Sequence, residues 1–321
     1  MDKTIKKLEN FKGDILIFTH ENPDGDGIGS MLALYKFLKK KGKNVDMAMK
    51  DELPYIYNFL SNVDKIKKLP NKKEYDLAIV VDAAGKFRAG AEVKAKEFLR
   101  IDHHRGGDIY SDADLVDINS PSTTTLIAKL LKYWDEKLVD KDIAESLYTG
   151  LLTDTGSFRH SNITAETFDI AKFLVEKGAN PVTISQNIFE RNKPGVLKLL
   201  QKTLSTLELY ENGKISSLVV RDKFFKETGT KEEDAEGFVN YARGIDGVEV
   251  AFLMIEKLDE NNEKLWRVSL RSKGNIDVQQ IASNLGGGGH KNAAGCRIKG
   301  EENEVKNKIL EEIKKVLKGS N

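Results

Sequence analysis

The sequence predicts a two-domain α/β protein: an N-terminal parallel sheet with helices on both faces, a helical connector and a smaller mixed α/β domain. Three observations carry that reading. The chain has 321 residues, too many for one typical core and suited to two domains of about 100–200 residues each. Through the first half, short apolar runs bounded by polar turns alternate with segments of helical period, the pattern of strands and crossover helices. From Lys214 onward the style changes to strand candidates separated by a single helix and a hairpin. The expected boundaries are 1–185 for the first domain, 186–212 for the connector and 213–321 for the second domain.

In the first domain the apolar runs predict strands at Asp14–Thr19, Asn44–Met49, Tyr75–Val81 and Glu97–Ile101. A helix is predicted over Ile28–Lys41, with Ile28, Met31, Leu32, Tyr35 and Leu38 on one face and Gly42 ending it. A second helix should start near Ser122 or Thr123, whose hydroxyls can cap it, and a third should cover Ile143–Leu152. Thr164–Lys177 repeats the device, with Thr164 as cap, Thr167 at the capping-box position and Gly178 closing the helix. Pro181 to Tyr210 reads as helical and charged, interrupted by Pro194 and Gly195. Beyond it, strands are predicted at Ile215–Val220, Val248–Glu256 and Lys264–Ser272, with a helix around Glu232–Arg243 and a hairpin at Asp259–Lys264. Helices over Val278–Leu285 and Glu304–Leu317 complete the chain.

Composition narrows the function. The 51 Lys and Arg against 50 Asp and Glu leave a net charge of +1, which argues against a long nonspecific nucleic-acid groove driven by global charge. Cys296 is the single cysteine, so an internal disulfide and a multi-cysteine zinc site are excluded, and a reducing compartment fits. No run approaches the length of a membrane span or a signal-peptide core, so a cytoplasmic protein without membrane contact is expected.

Chemistry gathers where the first-domain runs end. Asp14–Thr19 leads into His20, Asp24 and Asp26; Tyr75–Val81 ends in Asp82; Glu97–Ile101 ends in Asp102-His103-His104; and Asp154, after Leu151-Leu152-Thr153, is grouped with them. In an open parallel sheet the carboxyl ends of the strands face one crevice, so these groups should converge although they are far apart in sequence. So many anionic ligands suit two divalent cations sharing a carboxylate. His20, Asp24 and Asp82 would serve one; Asp26, His103 and Asp154 would serve the other, with Asp82 as the bridge. Asp24 and Asp26 are expected to reach different metals because alternate residues of an extended turn point to opposite sides. Imidazole and carboxylate without thiolate suit Mn²⁺, with Mg²⁺ or Co²⁺ as further candidates. A lone aspartate after a strand is equally a turn former or a helix cap. Three of the five histidines sit in these clusters, however, which structural use would not favour. His104, adjacent to a ligand, is expected to meet the scissile phosphate or the leaving oxygen. His160 reads as a surface or packing residue and Arg105-Gly106-Gly107 as a basic turn.

These residues carry a resemblance. The segments around His20–Asp26, Val80–Asp82, Ile101–His104 and Leu151–Phe158 resemble the four motifs of the DHH phosphoesterases, and Leu285–Gly295 is similar to the glycine-rich signature of the associated DHHA1 domain. Size and order are similar to the short bacterial nano-RNase/pAp phosphatases. The resemblance implies metal ligands at His20, Asp24, Asp26, Asp82, His103 and Asp154, in agreement with the assignment above, and a catalytic role for Asp82 and His104. It further implies that Gly287, Gly288, Gly289 and His290 bind the far end of a nucleotide, where Arg271 matches a phosphate- or base-binding position. Arg159 and Arg243 are weaker candidates.

The implied activity is hydrolysis of very short single-stranded oligonucleotides and of pAp by water activated between two metals, in a cleft that selects by size. Linear pApA and cyclic di-AMP are the alternative substrates. A family II-type inorganic pyrophosphatase shares the first-domain motifs but lacks the Gly286–His290 segment. A silent nucleotide-binding module would have lost a ligand, and all six are present. A homodimer is compatible with this reading.

Overall fold

The computed structural model describes residues 1–70, 73–160, 162–259 and 263–319. The chain divides into two compact units, Met1–Arg191 and Asn192–Asn321. Among the described residues no helix is long and apolar enough to cross a membrane.

The first unit contains strands β1 (Asp14–Phe18), β2 (Asn44–Met49), β3 (Ile66–Lys68), β4 (Tyr75–Val81), β5 (Ala95–Asp102) and β6 (Leu115–Val116). Its helices are α1 (Asp2–Asn10), α2 (Gly25–Lys40), α3 (Thr123–Asp135), α4 (Lys141–Asp154), α5 (Ala165–Glu176) and α6 (Pro181–Phe189). The strands form one parallel sheet in the order β3-β2-β1-β4-β5-β6. Connections from β1 run outward to β2 on one side, and β4 adds on the other, so the chain changes direction between β1 and β4. That switch point is where an open sheet of this kind leaves a crevice at its carboxyl edge.

The two sheet faces differ. Ile15, Ile17, Leu77, Ile79, Leu99 and Ile101 share a core with α2, α3 and α4. Leu16, Phe18, Ala78 and Val80 pack instead with Ala83, Ala89 and Tyr110 from loops, and helical cover on this face is reduced to the 3₁₀ turn Lys86–Ala89. Of the helices expected on both faces, the α-helices lie on the first and the second carries the 3₁₀ turn. The β4–β5 connection is short and interrupted by Gly85 and Gly90, which leaves no room for a longer helix.

Glycines let the helices on the covered face approach closely. A Cβ on Gly29 of α2 would lie 2.3 Å from the Ser146 carbonyl oxygen of α4. One on Gly150 of α4 would lie 2.4 Å from Thr124 Cγ2 and 2.8 Å from Asp26 Oδ1. These contacts bring the ends of α2, α3 and α4 together beside β4 and β5.

Several boundaries move for local reasons. The helix expected from Ile28 begins at Gly25, because the Asp24 side chain accepts from Asp26 N and Gly27 N and caps it. The predicted extended turn at Asp24–Asp26 is thus a helix start, and the two aspartates part by helical geometry. Ser122 caps α3 through Thr125 N. The helix expected over Ile143–Leu152 runs from Lys141 to Asp154, so Asp154 ends a helix and not a strand.

The second unit contains α7 (Pro194–Leu204), β7 (Glu208–Tyr210), β8 (Ile215–Val220), α8 (Asp222–Thr228), α9 (Val239–Arg243), β9 (Val250–Leu258), β10 (Lys264–Ser272), α10 (Val278–Asn284), β11 (Gly288–His290), β12 (Ala293–Lys299) and α11 (Glu302–Gly319). The strands form a mixed sheet in the order β11-β12-β10-β9-β8-β7, with β8 and β9 parallel and the other neighbours antiparallel. Glu208–Tyr210, read as helical, is an edge strand. The helix expected around Glu232–Arg243 is split into a 3₁₀ turn, Glu232–Ala235, and α9, with Gly237 at φ 80° between them. Leu258 pairs with Lys264, consistent with the expected hairpin, whose residues 260–262 lie outside the described residues. One face of the sheet carries Phe252, Met254, Trp266, Val268 and Leu270 in a core with α10 and α11. The other carries Leu218, Ala251 and Leu253 in a core with α7, α8 and α9.

Candidate functional site

The carboxyl edge of the parallel sheet brings the expected ligands of the first unit together. His20, Asp24 and Asp82 offer donor atoms all within 4.8 Å of one another, and so do Asp26, Asp82 and His103. Asp82 belongs to both groups. It follows the last residue of β4 and adopts φ 56°, a left-handed conformation that aspartate tolerates better than most side chains. Only 1% of it is exposed, and Thr123 Oγ1 donates to its Oδ1 at 3.0 Å.

Three histidines are held through Nδ1. Nδ1 of His20 lies 2.8 Å from the Glu21 carbonyl oxygen, and Nδ1 of His103 lies 3.1 Å from that of Ser120. Nδ1 of His104 lies 2.7 Å from Asp102 Oδ1. Each partner only accepts, so each Nδ1 is a donor. His20 Nε2 faces Asp82 Oδ2 at 3.6 Å. His103 Nε2 faces Asp154 at 3.5 Å, Asp82 at 3.6 Å and Asp26 at 3.9 Å. An Nε2 lone pair among carboxylate oxygens would be repulsive unless a cation sat among them. These distances exceed hydrogen bonds and resemble the separation of two ligands on one divalent cation.

The electrostatics agree. Burial, followed by the charges of Asp26, Asp24, Asp154 and Asp102, pushes the Asp82 carboxyl well above the usual carboxylate range. Burial, then Asp26 and Asp24, does the same to Asp154. Asp26 is steadied by the start of α3: Thr123 N donates to Oδ2 at 2.6 Å, and Thr124 N and Oγ1 donate to Oδ1 at 2.9 and 2.6 Å. A helix N-terminus offsets part of one negative charge. The donor set thus fits divalent cations. His20, Asp24 and Asp82 would hold one, and Asp26, Asp82, His103 and Asp154 another.

Asp102 also offers a donor atom close to those of Asp82 and His104, but its oxygens are engaged by Arg100, His103 and His104. Burial works to raise its pKa, but the hydrogen bonds and charges of His104 and Arg100 outweigh that and hold it well below the usual carboxylate range. Sequence reasoning missed Arg100, Thr123 and Thr124. The available signal for Arg100 was its place in Phe98-Leu99-Arg100-Ile101-Asp102, where alternation puts the two charges on one face.

In this arrangement the chain matches the DHH family, N-terminal domain, over residues 14–151 and the DHHA1 domain over residues 213–319. It is 31% identical over 315 residues to the bifunctional oligoribonuclease and PAP phosphatase NrnA of Thermus thermophilus, spanning 97% of this chain and 92% of that protein. The chain belongs to the DHH family. It is also 26% identical to the cyclic-di-AMP phosphodiesterase PdeA of Listeria monocytogenes, over 93% of this chain and 47% of that protein. The crystal structure of an exopolyphosphatase-related protein from Bacteroides fragilis shares the fold with a TM-score of 0.88, covering 98% of this chain and 96% of that one at 24% identity. DHH phosphoesterases are metal-dependent, which accords with the carboxylate and imidazole cluster.

The DHHA1 unit presents its expected residues differently. The glycine run after α10 turns at Gly286 and continues into the edge strand β11: Gly288 pairs with Gly295, Gly289 with Ala294 and His290 with Ala293. A Cβ on Gly287 would lie 2.1 Å from the Gly295 carbonyl oxygen, and one on Gly289 would lie 2.6 Å from that of Ala293, so close strand approach requires both glycines. Ala293 also pairs with Arg271 on β10. Arg271 and His290 therefore flank Ala293 in one row of the sheet and point to the same face. Arg271 is partly buried, near Glu236 at 3.9 Å, and burial lowers its pKa. Gly288–His290 is exposed.

Two expected residues fall elsewhere. Arg159 is exposed and its Nε donates to Gly156 O at 2.8 Å. His160 places Nδ1 3.2 Å from the Asp154 carbonyl oxygen, which makes it a support of the loop after α4.

Proposed function

We propose that this chain is a metal-dependent phosphohydrolase that cleaves very short oligoribonucleotides to mononucleotides and removes phosphate from pAp. The observation that carries the reading is His103 Nε2 facing Asp26, Asp82 and Asp154 at 3.5–3.9 Å, in a cluster that shares Asp82 with His20. The relation to the Thermus thermophilus protein, at 31% identity over nearly the whole of both chains, supports the choice of substrates.

Divalent cations in this cluster would lower the pKa of water and offset charge growing on the phosphoryl oxygens. The chain's own groups do the rest. His20 and His103 are locked by their Nδ1–H bonds, so their Nε2 atoms need no reorganisation. Thr123 orients Asp82, and Asp102 orients His104. His104 Nε2 supplies the proton to the leaving oxygen or steadies its charge. Arg271, Gly287–Gly289 and His290 bind the nucleotide, the arginine by a two-pronged contact with phosphate or base. Arg159, exposed beside the loop after α4, remains the weaker candidate for a substrate contact. The donor set, without thiolate, favours Mn²⁺ over zinc, and a buried lone cysteine accords with a cytoplasmic setting.

The second reading, a cyclic di-AMP or pApA phosphodiesterase, draws on the likeness to the Listeria monocytogenes enzyme. Turnover of pAp, a dinucleotide, pApA, cyclic di-AMP and labelled RNAs of increasing length, with MnCl₂, MgCl₂, CoCl₂ or EDTA, decides between them. Fastest release from pAp and dinucleotides with Mn²⁺ is expected. Faster turnover of cyclic di-AMP or pApA selects the second reading, and hydrolysis of none of them with any metal overturns both.

A further inference from the structure

We infer that Arg100 is the positioning residue of His104, acting through a closed hub of hydrogen bonds with Asp102 and the loop that follows. This deepens the catalytic role proposed for His104 and rests on that reading.

Arg100 lies on β5, is 1% exposed and sits on the sheet face covered by loops. A guanidinium has five N–H donors, and here there are five donor contacts. Nε and Nη2 donate to Asp102 Oδ2 at 2.9 and 2.5 Å. Nη1 donates to the carbonyl oxygens of Gly106 and Asp108 at 2.6 and 3.2 Å, and Nη2 to that of His104 at 3.1 Å. Asp102 receives the rest of the pattern on its other oxygen. Its Oδ1 accepts from His103 N at 2.8 Å, from His104 N at 3.2 Å and from His104 Nδ1 at 2.7 Å.

The loop is wound on the guanidinium, with alternate carbonyls at 104, 106 and 108 turned inward. Gly106 and Gly107 adopt φ 69° and 89°, and a Cβ on Gly107 would lie 1.9 Å from the Ala84 carbonyl oxygen, so this turn is built for glycine. The segment first read as a basic turn is thus the outer half of the hub.

Stability does not explain the arrangement. A buried ion pair is commonly no better than an apolar pair of the same volume, because desolvation consumes most of the attraction. What an apolar pair lacks is the ability to fix three loop carbonyls and to accept the His104 Nδ1 proton. A flexible ammonium in place of the fork keeps the charge but not the geometry. Misplacement of a reacting group by about 1 Å costs on the order of a hundredfold in rate.

The test compares Arg100→Lys, His104→Ala and the double variant, with pAp as substrate and MnCl₂ titrated calorimetrically. Arg100→Lys should lower kcat about ten- to a hundredfold with KM and Mn²⁺ affinity unchanged. The same change should cost nothing further in the His104→Ala background, because groups acting as a unit are not additive. An equal fractional loss in both backgrounds, or a parallel fall in Mn²⁺ affinity, overturns the inference. A second readout needs no turnover: the hydrogen-bonded Nδ1–H proton of His104 by NMR, assigned by its loss in His104→Ala. It should broaden or disappear in Arg100→Lys, and its persistence unchanged overturns the inference even where the parent hydrolyses no nucleotide, an outcome that would sink the proposed function alone. Should Arg100→Lys fail to fold, Arg100→Met with Asp102→Leu replaces both charges by an apolar pair, with the same expected losses.

Discussion

The first unit and the second unit present their candidate residues in opposite ways. In the first, Asp26, Asp82, Asp102 and His103 are buried, and nearly every polar atom is fixed by a neighbour before a ligand arrives. In the second, the Gly288–His290 edge strand is exposed, and Arg271 donates to the Leu270 carbonyl and lies 3.9 Å from Glu236. The contrast fits the task proposed for each unit. Stabilising a transition state rewards groups that need no rearrangement, whereas admitting varied nucleotides requires an open surface with few contacts. Burial of like charges in the first unit is costly for the folded chain.

The largest effect should come from the shared carboxylate. Asp82→Asn keeps the left-handed backbone and an acceptor for Thr123, yet removes a charge from both ligand groups. Phosphohydrolase activity should fall about 10³-fold or more, since metal assistance is worth several kcal/mol. Parent-level turnover of pAp by this variant would erase the distinction between the units.

His104→Ala comes next, with a loss of about 10²–10⁴-fold in kcat and Mn²⁺ affinity retained in calorimetry. A lost metal site in this variant would move His104 into the ligand set.

Arg271→Ala and His290→Ala sharpen the comparison from the other side. Charge-assisted hydrogen bonds contribute about 1.5–3 kcal/mol, so kcat/KM for pAp and dinucleotides should fall roughly ten- to a hundredfold. A generic aryl phosphodiester with Mn²⁺ should be hydrolysed nearly as before. Equal loss on both substrates would put one of these residues in the chemical step.

The smallest effect is on stability. Asp82 and Asp154 have raised pKa values in the folded chain, so the folded state binds more protons than the unfolded one above the ordinary carboxylate value near pH 4. Their contribution is fully present below that pH and is lost as pH rises through the folded values. Asp102, whose pKa is lowered, acts in the opposite sense and only in acid, as pH falls below about 4. Metal-free protein should therefore melt lower at pH 8 than at pH 5.5. MnCl₂ should remove the difference, and Asp82→Asn should reduce it. Calorimetric melts that show no such trend in the parent would mean the carboxylates are not in conflict.

Much of this was legible in the sequence because strand ends are marked twice, by an apolar run and by the polar residues that follow it. Strands Asn44–Met49, Tyr75–Val81, Ile215–Val220 and Lys264–Ser272 form over the expected residues, and the convergence of His20, Asp82 and His103 follows from parallel topology. Three things were hidden. Gly25-Asp26-Gly27 looked like a turn because glycine disfavours helix, yet the Asp24 cap and the packing of α2 override that preference. The glycines at 287–289 gave no sign of an edge strand because nothing local reveals that Gly295 and Ala293 will lie against them. Arg100 carried no motif, and its five contacts depend on a loop whose course is set only after folding.

Gly29 and Gly150 have a practical bearing on engineering. Replacing a helix glycine with alanine is a routine route to heat resistance, worth about 1 kcal/mol at a solvent-facing position. At these two positions the added methyl would collide with the Ser146 carbonyl and with Thr124 and Asp26. Gains in helix propensity would be spent on prising α2 from α4, and the damage would surface as lost turnover before it surfaced as unfolding. A thermostabilisation campaign on this scaffold therefore has to leave that seam untouched and draw its alanines from the solvent side of the helices.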